Sequence, residues 1–389
     1  MAQERRRYEL REPKLNRQIE GLLADAEKVY GPCEDGEVLR QILVTGLRLL
    51  SDRTPRADLK LINSALKELR HAIFTFAPYE HVRKVAIFGS ARTPRAAPEW
   101  RCAHEFAERL AQAGWMVITG AGDGIMGAAQ GGAGREKSFG VNIRLPFEQA
   151  ANQVIAGDKK LVNFRYFFTR KLMFVKESHA IALFPGGFGT HDEGYEALTL
   201  VQTGKSELIP IVFVDAPGGT YWSAWERYVR EHLHSRGLIS ADDLALFKVT
   251  DSVEEAVHEV LRFYANYHSS RYVRELLVLR VQHPPDASRL RELNREFGDI
   301  LVSGAIEARG PLPEERGECP EFARVTLHFN RRDVGRVRML VDRLNALVPA
   351  AMPSARGASP HEIIAQRLPP GAEREEEDLG IAPPDRKGP

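Results

Sequence analysis

Residues 183 to 198 read LFPGGFGTHDEGYEAL, with Gly186, Gly187 and Gly189 ahead of Thr190 and Glu193. Glycine lets a backbone approach a ligand closely, and a helix that starts just beyond offers unpaired N–H groups and the positive end of its dipole. The chemistry on offer is anion binding, with a carboxylate one turn further on. The same residues admit a structural account: T-x-x-E at a helix start is a capping box, in which Thr190 accepts from one free N–H while Glu193 reaches back to another. That account leaves unexplained the glycines and Glu196, which follows on the same helical face.

Two further glycine loops share this chemistry. The first is Gly89, Ser90, Ala91 and Arg92; the second runs from Gly120 to Gly127 and contains Gly122, Gly124 and Met126. Glycines at such corners also serve simply to turn a strand into a helix. The second loop resembles a dinucleotide fingerprint, but GxGxxG requires glycine where Ile125 stands. No acidic residue ends the second strand to hold an adenosine ribose, so NAD is not expected.

These loops lie at the ends of short apolar runs. From KVAIFGSA at 84 to about 268, the runs WMVITG, SFGVNIRLP, HAIALFPGG, LIPIVFVD and LALFKVT alternate with amphipathic stretches such as EWRCAHEFAERLAQAG and YFFTRKLMFVKES. Near-continuous hydrophobic strands separated by helices predict an α/β fold, a Rossmann-like doubly wound parallel sheet covered on both faces. Ligands of such sheets sit where strand ends enter helices. Residues 1–80 read as a helical N-terminal extension, Leu39, Ile42, Leu43, Leu47 and Leu50 recurring at helical steps. Residues 81–268 are expected to form the Rossmann-like domain, and 269–348 a small C-terminal α+β domain of unassigned role. The tail from 349 to 389, rich in proline, glycine and unpatterned charge, is expected to be disordered.

Bulk properties narrow the partners. With 54 basic and 53 acidic residues the formal net charge is +1, which gives no electrostatic case for nucleic acid or a membrane surface. Cys33, Cys102 and Cys319 are far apart, so neither a zinc knuckle nor a disulfide framework is suggested. The start MAQERRRYEL leads into no apolar stretch, and no segment approaches the roughly 18 apolar residues of a membrane span. A cytoplasmic location is expected.

Taken together, PGGFGTHDE and TRKLMF resemble the PGGxGTxxE signature and the arginine-lysine-methionine helix of the Lonely Guy (LOG) family. Several members of that family were long labelled lysine decarboxylases. The resemblance spans about residues 82 to 268, with FGSAR, GAGDGIMGAA, GVNIRLPFEQAAN and LTLVQTGK in the same order. Ala121 stands where the family often has glycine, and His191 where it is usually apolar.

The family implies a homodimer and hydrolysis of nucleoside 5′-monophosphates, AMP or N6-modified AMP foremost, to free base and ribose 5-phosphate. Such a reaction passes through a cation-like ribose and needs negative charge near the anomeric carbon and a hold on the distant phosphate. The amides of Gly186, Gly187, Gly189 and Thr190, with the threonine hydroxyl, would clasp the phosphate, and Glu193 would face the sugar. The helix terminus favours ionised Glu193 while a bound phosphate opposes it, and the ionised form serves cation stabilisation better than acid catalysis. Arg170, matched to the family, would orient the nucleotide; Lys171 and Glu196 are second choices for phosphate and ribose, and His191 belongs to the rim. Gly89, Ser90, Gly122, Gly124 and Met126 complete the expected substrate contacts. No metal or other cofactor is required, and pyridoxal phosphate lacks a lysine in a supporting context. The alternative is a non-catalytic nucleotide sensor that uses the same cradle.

Overall fold

The computed structural model describes residues 8–144 and 150–348. The tail expected to be disordered, 349–389, lies outside the described residues, as does part of the GVNIRLPFEQAAN motif.

The chain opens with three helices, α1 (Pro13–Tyr30), α2 (Gly36–Ser51) and α3 (Arg56–Phe76). Two compact units divide between Lys67 and Glu68, within α3. In the first unit, buried Arg40 donates to the Glu37 carboxylate at 2.8 and 2.7 Å and to the Tyr8 carbonyl at 2.8 Å.

The second unit begins its sheet with β1 (Lys84–Phe88), then α4 (Pro98–Gln112), β2 (Met116–Thr119), α5 (Ile125–Ala133), β3 (Ser138–Ile143) and β4 (Leu161–Phe164). It continues with α6 (Phe167–Glu177), β5 (Ala180–Leu183), α7 (Phe188–Gln202), β6 (Ile211–Val214), α8 (Tyr221–Tyr228), β7 (Phe247–Thr250) and α9 (Val253–Phe263). The seven strands pair in parallel in the order β4-β3-β2-β1-β5-β6-β7. Every residue of β1, β2, β5 and β6 is buried, as a sheet covered on both faces requires. Because β2 lies on one side of β1 and β5 on the other, strand order reverses there, and the crevice of a doubly wound sheet opens at that place.

Four antiparallel strands follow, β8 (Tyr267–Val273), β9 (Leu276–Val281), β10 (Leu301–Arg309) and β11 (Ala323–Phe329), ordered β10-β11-β9-β8, with α10 (Ala287–Phe297) and α11 (Val334–Asn345). Glu315 is fully enclosed among them. It accepts from Arg280 Nη2 and Arg324 Nε, each at 2.8 Å, and although burial opposes ionisation, Arg324 and Arg280 hold its carboxyl down at about 2.

The parallel sheet and the antiparallel element match the sequence reading. Two strands, β4 and β8, do not follow from the apolar runs. Both lie at sheet edges.

Candidate functional site

The three glycine corners meet at the carboxyl ends of β1, β2 and β5, and they interlock through main chain. Ser90 N–H donates to the Pro185 carbonyl at 3.1 Å, and Ile125 N–H donates to the Ser90 carbonyl at 3.0 Å. Gly124, at φ +61°, brings its Cα so close that an added Cβ would lie 2.3 Å from the Ser90 oxygen. On Gly89 it would lie 2.7 Å from Ile125, on Gly122 2.7 Å from Met126 Cε, and on Gly186 2.1 Å from Thr190 Oγ1. Contacts within the chain therefore account for these four glycines. Gly187 and Gly189 differ, for nothing lies within 4 Å of a Cβ at either position. The second corner is braced by buried Asn152, whose side-chain amide donates to the Ala121 and Gly122 carbonyls at 3.1 and 2.9 Å. Ala121 itself has φ +64°, the left-handed region that glycine occupies without strain.

At the third corner the helix starts earlier than a capping box allows. Gly187 is the N-cap of α7, and no side chain caps it. Thr190 is thus the third helical residue, and the T-x-x-E capping account of Thr190 and Glu193 is not realised. Thr190 N–H donates to the Gly187 carbonyl at 3.1 Å, as does His191 N–H at 3.2 Å. The Thr190 amide, expected to take part in an anion clasp, is therefore committed to the helix. The amides of Phe188 and Gly189 lie ahead of these first turn-closing bonds, where a helix has no carbonyl to offer them. Thr190 is buried, its Oγ1 turned toward Gly186.

Helix α6 supplies the basic residues. Its entry is fixed by Glu68, whose carboxylate accepts from Arg165 N–H at 2.9 Å and Thr169 Oγ1 at 2.7 Å. Arg170 reaches the second corner: an added Cβ on Gly120 would lie 2.8 Å from its Nη2 and 2.8 Å from Met126 Sδ. The absent side chain at 120 is what admits the guanidinium and the thioether together. Lys171 bridges to α7, its Nζ lying 2.7 Å from both Asp192 Oδ2 and Glu196 Oε2. Lys171 and Glu196, second choices for phosphate and ribose contacts, pair with each other across two helices. Burial pulls the Lys171 ammonium down, but the hydrogen bonds it donates to Asp192 and Glu196 leave it above its ordinary value.

Glu193 lies within the field of these charges. Burial pushes its carboxyl up to about 7, against the pull of Lys171 and Arg170, while Glu196 and Asp192 add to the rise. Of the two opposing pulls expected on this carboxyl, the one toward the protonated form is the larger. The helix terminus favours the anion, but removal from water outweighs it. At neutral pH such a group exchanges protons readily and suits acid-base work.

A cluster that sequence spacing did not announce closes the third corner. Tyr221, at the start of α8, donates its hydroxyl proton to the Gly186 carbonyl at 2.5 Å, and His191 Nε2 lies 2.7 Å from the same hydroxyl. Trp225 donates to the Tyr195 hydroxyl at 3.0 Å behind them. A cavity of about 390 Å3 opens between the first and third corners, lined in part by Ser90, Arg92, Thr93, Pro185 and Gly186.

A family described as possible lysine decarboxylase matches residues 126–260, the part of the chain that carries the TRKLMF and PGGFGTHDE motifs. Among solved structures, the molybdenum cofactor binding protein of the phototrophic bacterium Rippkaea orientalis is 17% identical, with 46% of this chain and 93% of that one aligned at a TM-score of 0.32. The structural-genomics protein TM1055 is 23% identical, over 46% of this chain and 97% of that one, at a TM-score of 0.32. The molybdenum cofactor carrier protein of Chlamydomonas reinhardtii is 18% identical, over 45% and 94%, at a TM-score of 0.31. No curated protein matches the chain. Among the described residues, no helix is long and apolar enough to cross a membrane.

Proposed function

We propose, from the match of residues 126–260 to a family described as possible lysine decarboxylase and the resemblance of their motifs to the Lonely Guy family, that this protein hydrolyses the N-glycosidic bond of a nucleoside 5′-monophosphate. AMP or an N6-modified AMP is the leading substrate, and the products are free base and ribose 5-phosphate. The observation that carries this reading is Glu193, a carboxyl that burial brings to about 7 beside Arg170 and Lys171, one turn beyond a helix start whose Gly187 and Gly189 no neighbour crowds.

In this reading the 5′-phosphate docks against the amides of Gly187, Phe188 and Gly189, where the helix dipole favours an anion. The bound phosphate sets the ribose over Glu193. As the C1′–N bond lengthens, its electron pair leaves with the base and the sugar turns positive; ionised Glu193 stabilises that charge and takes a proton from the attacking water. The hydroxide adds to C1′, the departing base takes up a proton from solvent water, and Glu193 returns to solvent the proton it took, which restores the carboxylate. Arg170 stays charged and steadies the negative charge that develops on the base. Lys171 holds Asp192 and Glu196, so that Glu193 is the carboxylate of α7 left for the sugar.

The test is incubation of the purified protein with AMP, GMP, CMP, UMP and isopentenyl-AMP, with released base followed by chromatography. We expect release from at least one. Glu193→Ala should abolish release and keep phosphate-dependent binding. Turnover that survives in Glu193→Ala would falsify the role given to this residue, and binding without turnover across the panel would mark a sensor. We further infer a homodimer, supported by Phe167, Phe168 and Leu172 of α6, each about half exposed (52%, 53% and 52%). Sedimentation as a monomer would refute it.

A further inference from the structure

The hydrogen bonds around Tyr221 have only one consistent direction. A phenol carries one proton, and the Gly186 carbonyl can only accept, so that proton belongs to the carbonyl. His191 must then donate to the phenol oxygen, which fixes its ring as the tautomer protonated at Nε2. Burial lowers the His191 pKa and favours this neutral ring. The chain of donors therefore runs from His191 to Tyr221 to Gly186.

The carbonyl of Gly186 and the N–H of Gly187 belong to one trans peptide and point in opposite directions. This peptide lies between two glycines, the residue type that least resists rotation of the plane. A hydrogen bond from α8 to the carbonyl selects one of its two orientations. It turns the Gly187 N–H away from α8, and Gly187 is the residue on which α7 begins. His191 thus acquires a use at a position where the Lonely Guy family is usually apolar.

We propose that Tyr221, supported by His191, is a positioning residue that locks the Gly186–Gly187 peptide with the Gly187 amide presented to the 5′-phosphate. The inference rests on the nucleotide reading above and adds to it a device of this chain's own. Its signature is specific: losing the lock weakens whatever carries a phosphate and spares what does not.

The experiment measures binding of AMP, inorganic phosphate and adenosine to the full chain by calorimetry, for wild type, Tyr221→Phe, His191→Phe and His191→Gln. Loss of one hydrogen bond to a neutral acceptor predicts roughly three- to tenfold weaker binding of AMP and phosphate in Tyr221→Phe, with adenosine unchanged. In turnover the loss enters KM and leaves kcat nearly as it was. His191→Phe should follow Tyr221→Phe, and His191→Gln, which keeps a donor, should recover toward wild type. His191→Phe carries the test if Tyr221→Phe does not fold. Equal losses for AMP and adenosine, or AMP affinity unchanged in a folded variant, overturn the lock. Wild-type binding that ignores the phosphate altogether overturns the nucleotide reading and the lock with it.

Discussion

Replacing Glu193 by glutamine should remove activity and at the same time make the fold stronger, by an amount that depends on pH. The carboxyl titrates near 7 in the folded chain and at an ordinary 4.5 when unfolded. Between those values the folded state holds more protons than the unfolded one, so stability falls as pH rises through that window. Each pH unit costs about 1.4 kcal/mol, which sums to about 3 kcal/mol by pH 8. Glutamine mimics the protonated acid in shape and does not titrate. The difference between Glu193→Gln and wild type should therefore be near zero at pH 4.5, grow through pH 6, and level off above pH 7 in favour of the variant. Urea unfolding of both proteins from pH 4.5 to 8.5 reads this directly, since every other titrating group is common to the pair. A difference that is flat with pH, or that favours wild type at pH 8, would show that Glu193 is not held as a buried, strained acid.

Gly189→Ala should leave the free protein intact or more stable by roughly 0.5–1 kcal/mol, because the position is helical and open, yet lower AMP affinity about tenfold or more; thermal melts and calorimetry together decide, and unchanged affinity would remove this helix start from the phosphate site. Gly124→Ala provides the contrast: with φ +61° and the Ser90 oxygen in the way, it should destabilise the fold by at least 2 kcal/mol. Lys171→Met removes a cation that holds Glu193 down, so the Glu193 pKa should climb beyond about 7. In the proposed mechanism the ionised form is the active one, so the rate should rise with pH through this value, and the rising limb should move to higher pH in the variant. A limb that stays in place would deny Glu193 its part in setting the profile.

The sheet was legible because its central strands are buried on both faces, and continuous apolar runs such as KVAIF and HAIALF announce that. Strand β4 alternates half-buried and buried residues, and Asn163 pairs with Asn142 at 3.0 Å; β8 places serines and an arginine in mid-strand. Both are edge strands, which need only one covered face, and unlike β7, which ends the run LALFKVT, neither lies in a hydrophobic run. The glycine corners were legible as a set, but not which glycines serve the fold. That depends on Ile125, Met126 and Thr190 packing against them. The capping box failed for a local reason. Gly187, with no side chain to advertise it, begins the helix, and the threonine falls inside the first turn. The pairing of Lys171 with Asp192 and Glu196, and of Tyr221 with Gly186, joins elements far apart in sequence. The elevated Glu193 depends on burial, which no spacing of charges encodes.

Ser90 is the keystone of the crevice, since its carbonyl receives the amide of Ile125 and its own amide hangs on Pro185. Both links use main chain alone. The serine hydroxyl, which accepts from Arg92 N–H at 3.1 Å, belongs to neither, so residue 90 can be exchanged during evolution without dismantling the arch. Under the nucleotide reading proposed above, ligand preference can then drift at this wall of the cavity while the main-chain arch keeps its shape, an arrangement that would let one scaffold try many bases at little structural risk.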